Sequence, residues 1–111
     1  MAKPAVLRLN KEFKTLYYRG QTQVHPCLVT YIRKNRFGYP RYGITTGKKV
    51  GGAVQRSRCR RFIRAAYREL LPEIQGGWDF VFVARTRTVQ VKSTEIVKVM
   101  RRHLKDGGVL K

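Results

Sequence analysis

The spacing of apolar residues changes along this chain, and each spacing predicts an element. Over Asn10 to Arg19, Phe13, Leu16 and Tyr17 fall at i, i+3 and i+4, with Asn10 suited to the N-cap and Gly20 to the position past the end, so a helix is expected. Cys27 to Arg33 is β-branched and aromatic and predicts a strand, and a second strand is expected over Arg41 to Thr46. Between them, Asn35 to Pro40 contains Gly38 and Pro40 and reads as a hairpin connection. A long helix is expected from about Arg56 to Leu71, stopped by Pro72. Trp78 to Ala84 is the most hydrophobic strand, which predicts a central place. A last helix should run from Lys92 or Ser93 to about Lys105, capped by Ser93 and ended by Gly107 and Gly108, with Ile96, Val97, Met100 and Leu104 on its apolar face. Gln21 to Val24 could add a short strand. The order predicts an α+β fold, a two-layer α/β sandwich of three helices and a small mixed sheet, in one domain over residues 1–111.

Composition narrows the partners. The chain has 111 residues, 25 Lys and Arg against 6 Asp and Glu, and a net charge of +19. Its hydrophobic share of 42% provides a core that a disordered basic tail would lack. A folded domain so charged repels itself and is relieved by a polyanion. Nucleic acid is the first candidate and an anionic membrane the second. No stretch approaches the ~18–20 apolar residues of a spanning helix. Met1 to Arg19 is broken by charges and holds no signal-peptide apolar region, so a cytoplasmic protein without a membrane partner is expected. Cys27 and Cys59 lack metal-ligand spacing and are expected to be reduced thiols.

The charge is uneven. Residues 1–47 hold nine bases and one acid, residues 48–68 eight bases and no acid, and residues 69–111 eight bases and five acids. Projected at about 100° per residue, Arg60, Arg61, Arg64 and Arg68 share one arc of the long helix, opposite Phe62, Ile63, Ala66, Tyr67 and Leu70. Basic stripes are usually solvated faces. Here no acid stands at i±4 within the stripe before Glu69, and like charges at that spacing destabilise a helix, which favours neutralisation by a ligand. All six bases from Arg56 to Arg68 are arginine, whose guanidinium binds phosphate bidentately and stacks on bases. Ahead of them, Lys48 and Lys49 with Gly51, Gly52 and Ala53 form a basic glycine-rich loop whose backbone amides can approach an anion. The loop lacks the spacing of a nucleotide-triphosphate P-loop.

Gly43-Ile44, then Lys48-Lys49-Val50-Gly51-Gly52-Ala53-Val54-Gln55-Arg56-Ser57-Arg58-Cys59-Arg60-Arg61-Phe62-Ile63-Arg64, resembles the signature of the bacterial ribonuclease P protein family. Phe13, Tyr17 and Gly20, and the strand Trp78-Asp79-Phe80-Val81 leading to Ala84-Arg85, fit the same pattern. Ser57 stands where the family usually has Asn, and Ala65 where an acid often follows; Ser57 keeps the ability to cap the helix.

The resemblance implies a protein subunit that binds a catalytic RNA and the single-stranded 5′ leader of precursor tRNA, with cleavage performed by the RNA and its Mg2+. It places Lys48, Lys49, Arg56, Ser57, Arg58, Arg60, Arg61, Arg64 and Arg68 against the catalytic RNA. It places Phe13, Tyr17, Tyr31, Lys49, Ala53 and Arg64 in a leader cleft. It also implies a left-handed β-α-β crossover around the arginine helix, against the usual right-handed rule. The residues themselves agree with a non-catalytic chain: the six carboxylates form no closely spaced metal-binding pair, and His25 and His103 have no sequence-adjacent catalytic partner, so no catalytic residue and no protein-bound metal is expected. A ribosomal-protein-like RNA binder or RNA chaperone has the same composition, and only the loop-helix motif separates them. A major-groove DNA reader is disfavoured by an exposed face that is almost uniformly arginine, and a free-standing nuclease by the missing metal cluster. Oligomeric state is open.

Overall fold

The computed structural model describes residues 4–110; the readings that involve Met1 to Lys3 and Lys111 fall outside it. Its elements are β1 (Ala5–Val6), α1 (Asn10–Arg19), β2 (Gln21–His25), β3 (Leu28–Lys34), β4 (Arg41–Thr45), α2 (Ala53–Leu70), β5 (Trp78–Ala84) and α3 (Ser93–Asp106). Short 3-10 turns occupy Lys48–Val50, Leu71–Glu73 and Thr86–Gln90.

The five strands form one sheet in the order β1-β4-β5-β3-β2. β5 is central, as its hydrophobicity predicts. It pairs antiparallel with β3, with Tyr31 opposite Val81, and parallel with β4, with Gly43 opposite Val81. The hairpin expected over Asn35 to Pro40 is therefore corrected: β3 and β4 run in opposite directions, but β5 lies between them. The reason is burial. β5 is apolar on both faces and places Phe80, Val81 and Phe82 out of water, so it takes the position where both of its edges are paired. Its parallel pairing with β4 requires a long crossover, which α2 provides. The possible strand after α1 is present as β2, which pairs with β3 at one edge. Edge strand β1 has too few residues for a periodic signal and was not foreseen.

The helices cover both faces, and the alternation along β5 assigns them. Phe80 and Phe82 join Leu28, Ile32 and Tyr42 beneath α2 and α3, where Ile63, Tyr67, Met100 and Leu104 are buried. Val81 points the other way and is covered by Leu16 of α1, with Phe13 and Tyr31 beside it. Burying each large apolar side chain contributes roughly 1.5–3 kcal/mol. Tyr67 stacks on Tyr42 at 4.4 Å between centroids, and its hydroxyl is buried without a hydrogen-bond partner. Burial raises its pKa. Cys27 and Cys59 are both buried free thiols, and burial raises that of Cys59 against the pull of Arg60 and Arg58.

Helix caps differ from expectation at three points. Asn10 is the first residue of α1, not its cap; the Glu12 carboxylate accepts the backbone N–H groups of Arg8 and Leu9 at 3.2 and 3.0 Å instead. Ser93 is likewise inside α3, with Lys92 at the cap. α2 begins at Ala53, three residues before Arg56, because Gly52 supplies an extended cap and the alanine after it favours helix, so Ser57 lies within the helix and caps nothing. Gly51 has φ +139, a conformation glycine accepts and other residues resist, and a Cβ there would meet the Gln55 side chain at 3.0 Å.

The Thr30 hydroxyl and His103 Nδ1 lie 2.8 Å apart in the buried contact between β3 and α3. Burial, aided by His25, lowers the His103 pKa from 6.5 to about 4, against the opposing pull of Asp106. The unfolded chain therefore takes up a proton near pH 6.5 that the folded chain takes up only near pH 4. This contribution to stability is fully present above pH 6.5 and is lost as pH falls toward 4, by up to about 3 kcal/mol. The thermal midpoint is expected to drop between pH 7.5 and pH 5, and the drop to shrink in His103→Gln; an equal drop in both proteins would remove His103 as its source.

Candidate nucleic-acid interface

The loop and first turns of α2 carry the densest charge. Lys48 and Lys49 stand exposed on their 3-10 turn, which is anchored by buried Val50. α2 buries Cys59, Ile63, Ala66, Tyr67 and Leu70. That stripe leaves Arg60, Arg61, Arg64 and Arg68 on one arc from the shoulder to the solvent side, with Arg58 apart from them on the other shoulder. Arg61 and Arg68 face solvent with Ser57. Arg58 lies on one shoulder with its guanidinium 5.3 Å from the Phe62 ring, which is half-buried and thus less central to the core than its apolar character predicts. Arg60 and Arg64 are half-buried on the other shoulder. Arg56 is half-buried as well, and its Nε is enclosed without a partner. Two carboxylates come near this region in sequence only at the end, at Glu69 and Glu73, and Glu73 is taken by Arg101 at 2.6 Å.

On the sheet face that α1 covers, an open groove of about 470 Å³ runs between this shoulder of α2 and α1. Asn10, Phe13, Lys14 and Tyr17 line it from α1, a set spaced i, i+3, i+4 and i+7. Ile44, Thr45, Thr46 and Arg60 line the opposite side. Tyr17 is 40% exposed, meets Tyr31 edge-on at 4.9 Å, and shares a hydroxyl–hydroxyl hydrogen bond of 3.0 Å with Thr45. Phe13 is more deeply set: a Cβ on Gly43 would fall 2.2 Å from its ring, so glycine at that position makes room for it. Arg60 donates to the Thr46 hydroxyl at 2.7 Å and so holds its charge at the rim.

The structure thus brings Phe13, Tyr17 and Tyr31 together, three of the six residues expected in one cleft. Tyr31 meets Tyr17 but does not itself line the groove, and neither do Lys49, Ala53 and Arg64; Arg60 holds the basic place at its rim. Thr45 and Thr46 were not singled out from the sequence, although two hydroxyls at the end of a strand that enters a basic loop are a readable sign of a polar rim. Aromatic rings beside fixed cations and hydroxyls can stack unpaired bases and hold phosphates with little sequence preference. Among the described residues no cluster of three or more His, Cys, Asp or Glu could hold a metal ion, and no helix is long and apolar enough to cross a membrane.

A family model described as Ribonuclease P matches residues 1–107. The ribonuclease P protein component of Clostridium beijerinckii is 38% identical over 110 residues, covering 93% of this chain and 88% of the relative. That of Clostridium botulinum is 36% identical over 104 residues, covering 93% of this chain and 94% of the relative. Among solved structures, the RNase P protein of Staphylococcus aureus superposes with a TM-score of 0.86 at 25% identity, covering 98% of this chain and 100% of that one. The RNase P protein of Thermotoga maritima superposes with a TM-score of 0.81 at 26% identity, covering 95% and 97%.

Removing Arg60 tests the groove directly. Arg60→Ala is expected to weaken binding of a single-stranded polynucleotide and to reduce its salt dependence by about one released counterion or less. The lost bond to Thr46 should change stability by no more than about 1 kcal/mol. Titrations at several salt concentrations, with parallel thermal melts, separate the two effects.

Proposed function

The chain belongs to the ribonuclease P protein family, and from that membership we propose that it acts as the non-catalytic subunit of this endoribonuclease in removing the 5′ leader of precursor tRNA. The family places it in a ribonucleoprotein that processes tRNA, as the partner of the ribonuclease P RNA. The finer reading is a division of surfaces. The exposed arginines and the Lys48–Lys49 turn bind the catalytic RNA, and the groove beside Tyr17 holds the single-stranded leader. The observation that carries this reading is that an arginine helix with no acid before Glu69 adjoins an open aromatic groove, with Arg60 shared between them. Arginine on the helix suits phosphates held in a shaped RNA. Stacking on Tyr17 tolerates any base, as an enzyme acting on many leaders requires.

The chemistry is assigned to the RNA subunit. Three of the six acids of this chain are held closely by its own arginines. Glu12 and Asp79 both grip Arg41 at 2.7 Å, and Glu73 grips Arg101. Burial of Glu12 would raise its pKa, but the Leu9 and Arg8 amides and Arg41 outweigh it and keep the carboxyl ionised. Magnesium held by the RNA subunit would supply charge stabilisation at the scissile phosphate. The contribution of this chain is binding and orientation.

The test is reconstitution. Added to a bacterial ribonuclease P RNA, the chain should restore efficient cleavage of precursor tRNA at low magnesium, and alone it should cleave nothing. Cleavage by the chain free of RNA would overturn the division of roles. Within the complex, Tyr17→Ala is expected to weaken binding of leader-bearing precursor by about fivefold or more, the value of one stacked base, and to leave mature tRNA binding unchanged. Equal losses on both RNAs would make Tyr17 a packing residue.

A further inference from the structure

α1 divides its face of the sheet, and the second flank has its own chemistry. Opposite the groove, Lys11, Glu12, Thr15 and Leu16 border an open depression of about 410 Å³, closed on its far side by the end of β3 and the loop that follows. That loop carries two exposed aromatics, Phe37 at 55% and Tyr39 at 49%, with ring centroids 5.9 Å apart. Around it stand Lys11, Arg33 and Arg36, none of which forms a salt bridge among the described residues, while Lys34 lies over the Trp78 ring at 5.8 Å. The two acids of the depression, Glu12 and Asp79, are neutralised by Arg41.

The loop is built rigidly for an exposed segment. Asn35 Oδ1 accepts the Phe37 N–H at 2.9 Å, while Asn35 Nδ2 donates to the Tyr39 carbonyl at 3.1 Å and to Asp79 at 2.8 Å. The Asn35 N–H donates to the Gly77 carbonyl at 3.0 Å. Beneath the Phe37 ring lies the Arg41 guanidinium, 4.2 Å from the centroid. That guanidinium is itself fixed by three bonds, Nε and Nη2 to Asp79 at 2.9 and 2.7 Å and Nη1 to Glu12 at 2.7 Å. Phe37 therefore has one face seated on an immobilised cation and its outer side open to solvent. A pre-positioned ring loses little freedom when a ligand stacks on it, and the unpaired cations around it select a polyanion.

We infer that the loop over residues 35–40 is a second contact for unpaired RNA, separate from the leader groove. Phe37 stacks a base, and Arg33, Arg36 and Lys11 bind the adjoining phosphates. The site deepens the RNA-binding reading above and rests on it only for the source of the strand, either the leader beyond the groove or an unpaired segment of the RNA subunit.

The experiment begins with the full chain alone and a labelled oligouridylate. Phe37→Ala should weaken binding about fivefold or more, Phe37→Trp should retain it, and the loss should persist when Tyr17→Ala has already weakened the groove. Thermal melts should show all variants folded, since Phe37 is an exposed ring. Two further titrations identify the source. A loss in binding of the ribonuclease P RNA alone assigns an unpaired segment of that RNA; a loss only in binding of leader-bearing precursor to the reconstituted complex assigns the leader. Phe37→Ala without effect on all three RNAs, or an equal loss in Phe37→Trp, overturns the proposal and leaves the loop as a surface for a protein. Failure of reconstitution with the oligouridylate result intact would overturn the ribonuclease P role and spare this site.

Discussion

Strand β5 tolerates water on neither face, and the rest of the architecture follows from that. Phe80 and Phe82 require one cover and Val81 another. Helices α2 and α3 supply the first, α1 the second. Both edges of the strand must also be paired, so β3 and β4 take opposite sides of it rather than pairing with each other. The parallel side needs a long connection, and that connection is the arginine helix. A helix with six arginines and no acid in its first sixteen residues is poorly stabilised by its own surface. It is held because Cys59, Ile63, Ala66, Tyr67 and Leu70 are buried beneath it. The core thus sustains a surface charge that the helix alone would not.

The few acids are distributed with the same economy. Glu12 caps α1 through two backbone amides and also grips Arg41. Asp79 grips the same guanidinium from the start of β5 and accepts from Asn35. One cation therefore ties α1, β4 and β5 together and braces the loop that carries Phe37. Asp79 is the first cause of the raised Arg41 pKa, so the guanidinium stays charged. Removing one partner of such a half-buried cluster would strand the others, which costs more than an exposed pair is worth. With these acids turned inward, the surfaces on both flanks of α1 are left to bases and aromatic rings.

Much of this was legible in sequence. The bounds of α1 and β5, the central place of β5, and the ends of α2 and α3 follow from periodicity, Gly and Pro, because those signals act within a few residues. The loop-helix motif, read from Gly43 to Arg64, led to the family. The caps misled because Asn10 and Ser93 have the right chemistry for a position that the backbone begins one residue earlier; Glu12 reached back to do the work at the first. A helical projection shows angle but not neighbours, so it could not show that Arg58 leans on Phe62 while Arg60 reaches Thr46.

By itself the sequence determined the elements, the excess of positive charge, its concentration on one loop and helix, and the aromatic edge of α1. These are local properties of composition and spacing. Tertiary structure alone decided that β5 enters between β3 and β4, that Thr45, Thr46 and Arg60 complete the groove beside Tyr17, and that Phe37 rests on an arginine fixed by Glu12 and Asp79. Each of these joins residues far apart in the chain. Such pairings are chosen by burial of both faces of one strand and by neutralisation of one half-buried cation, which no local pattern records.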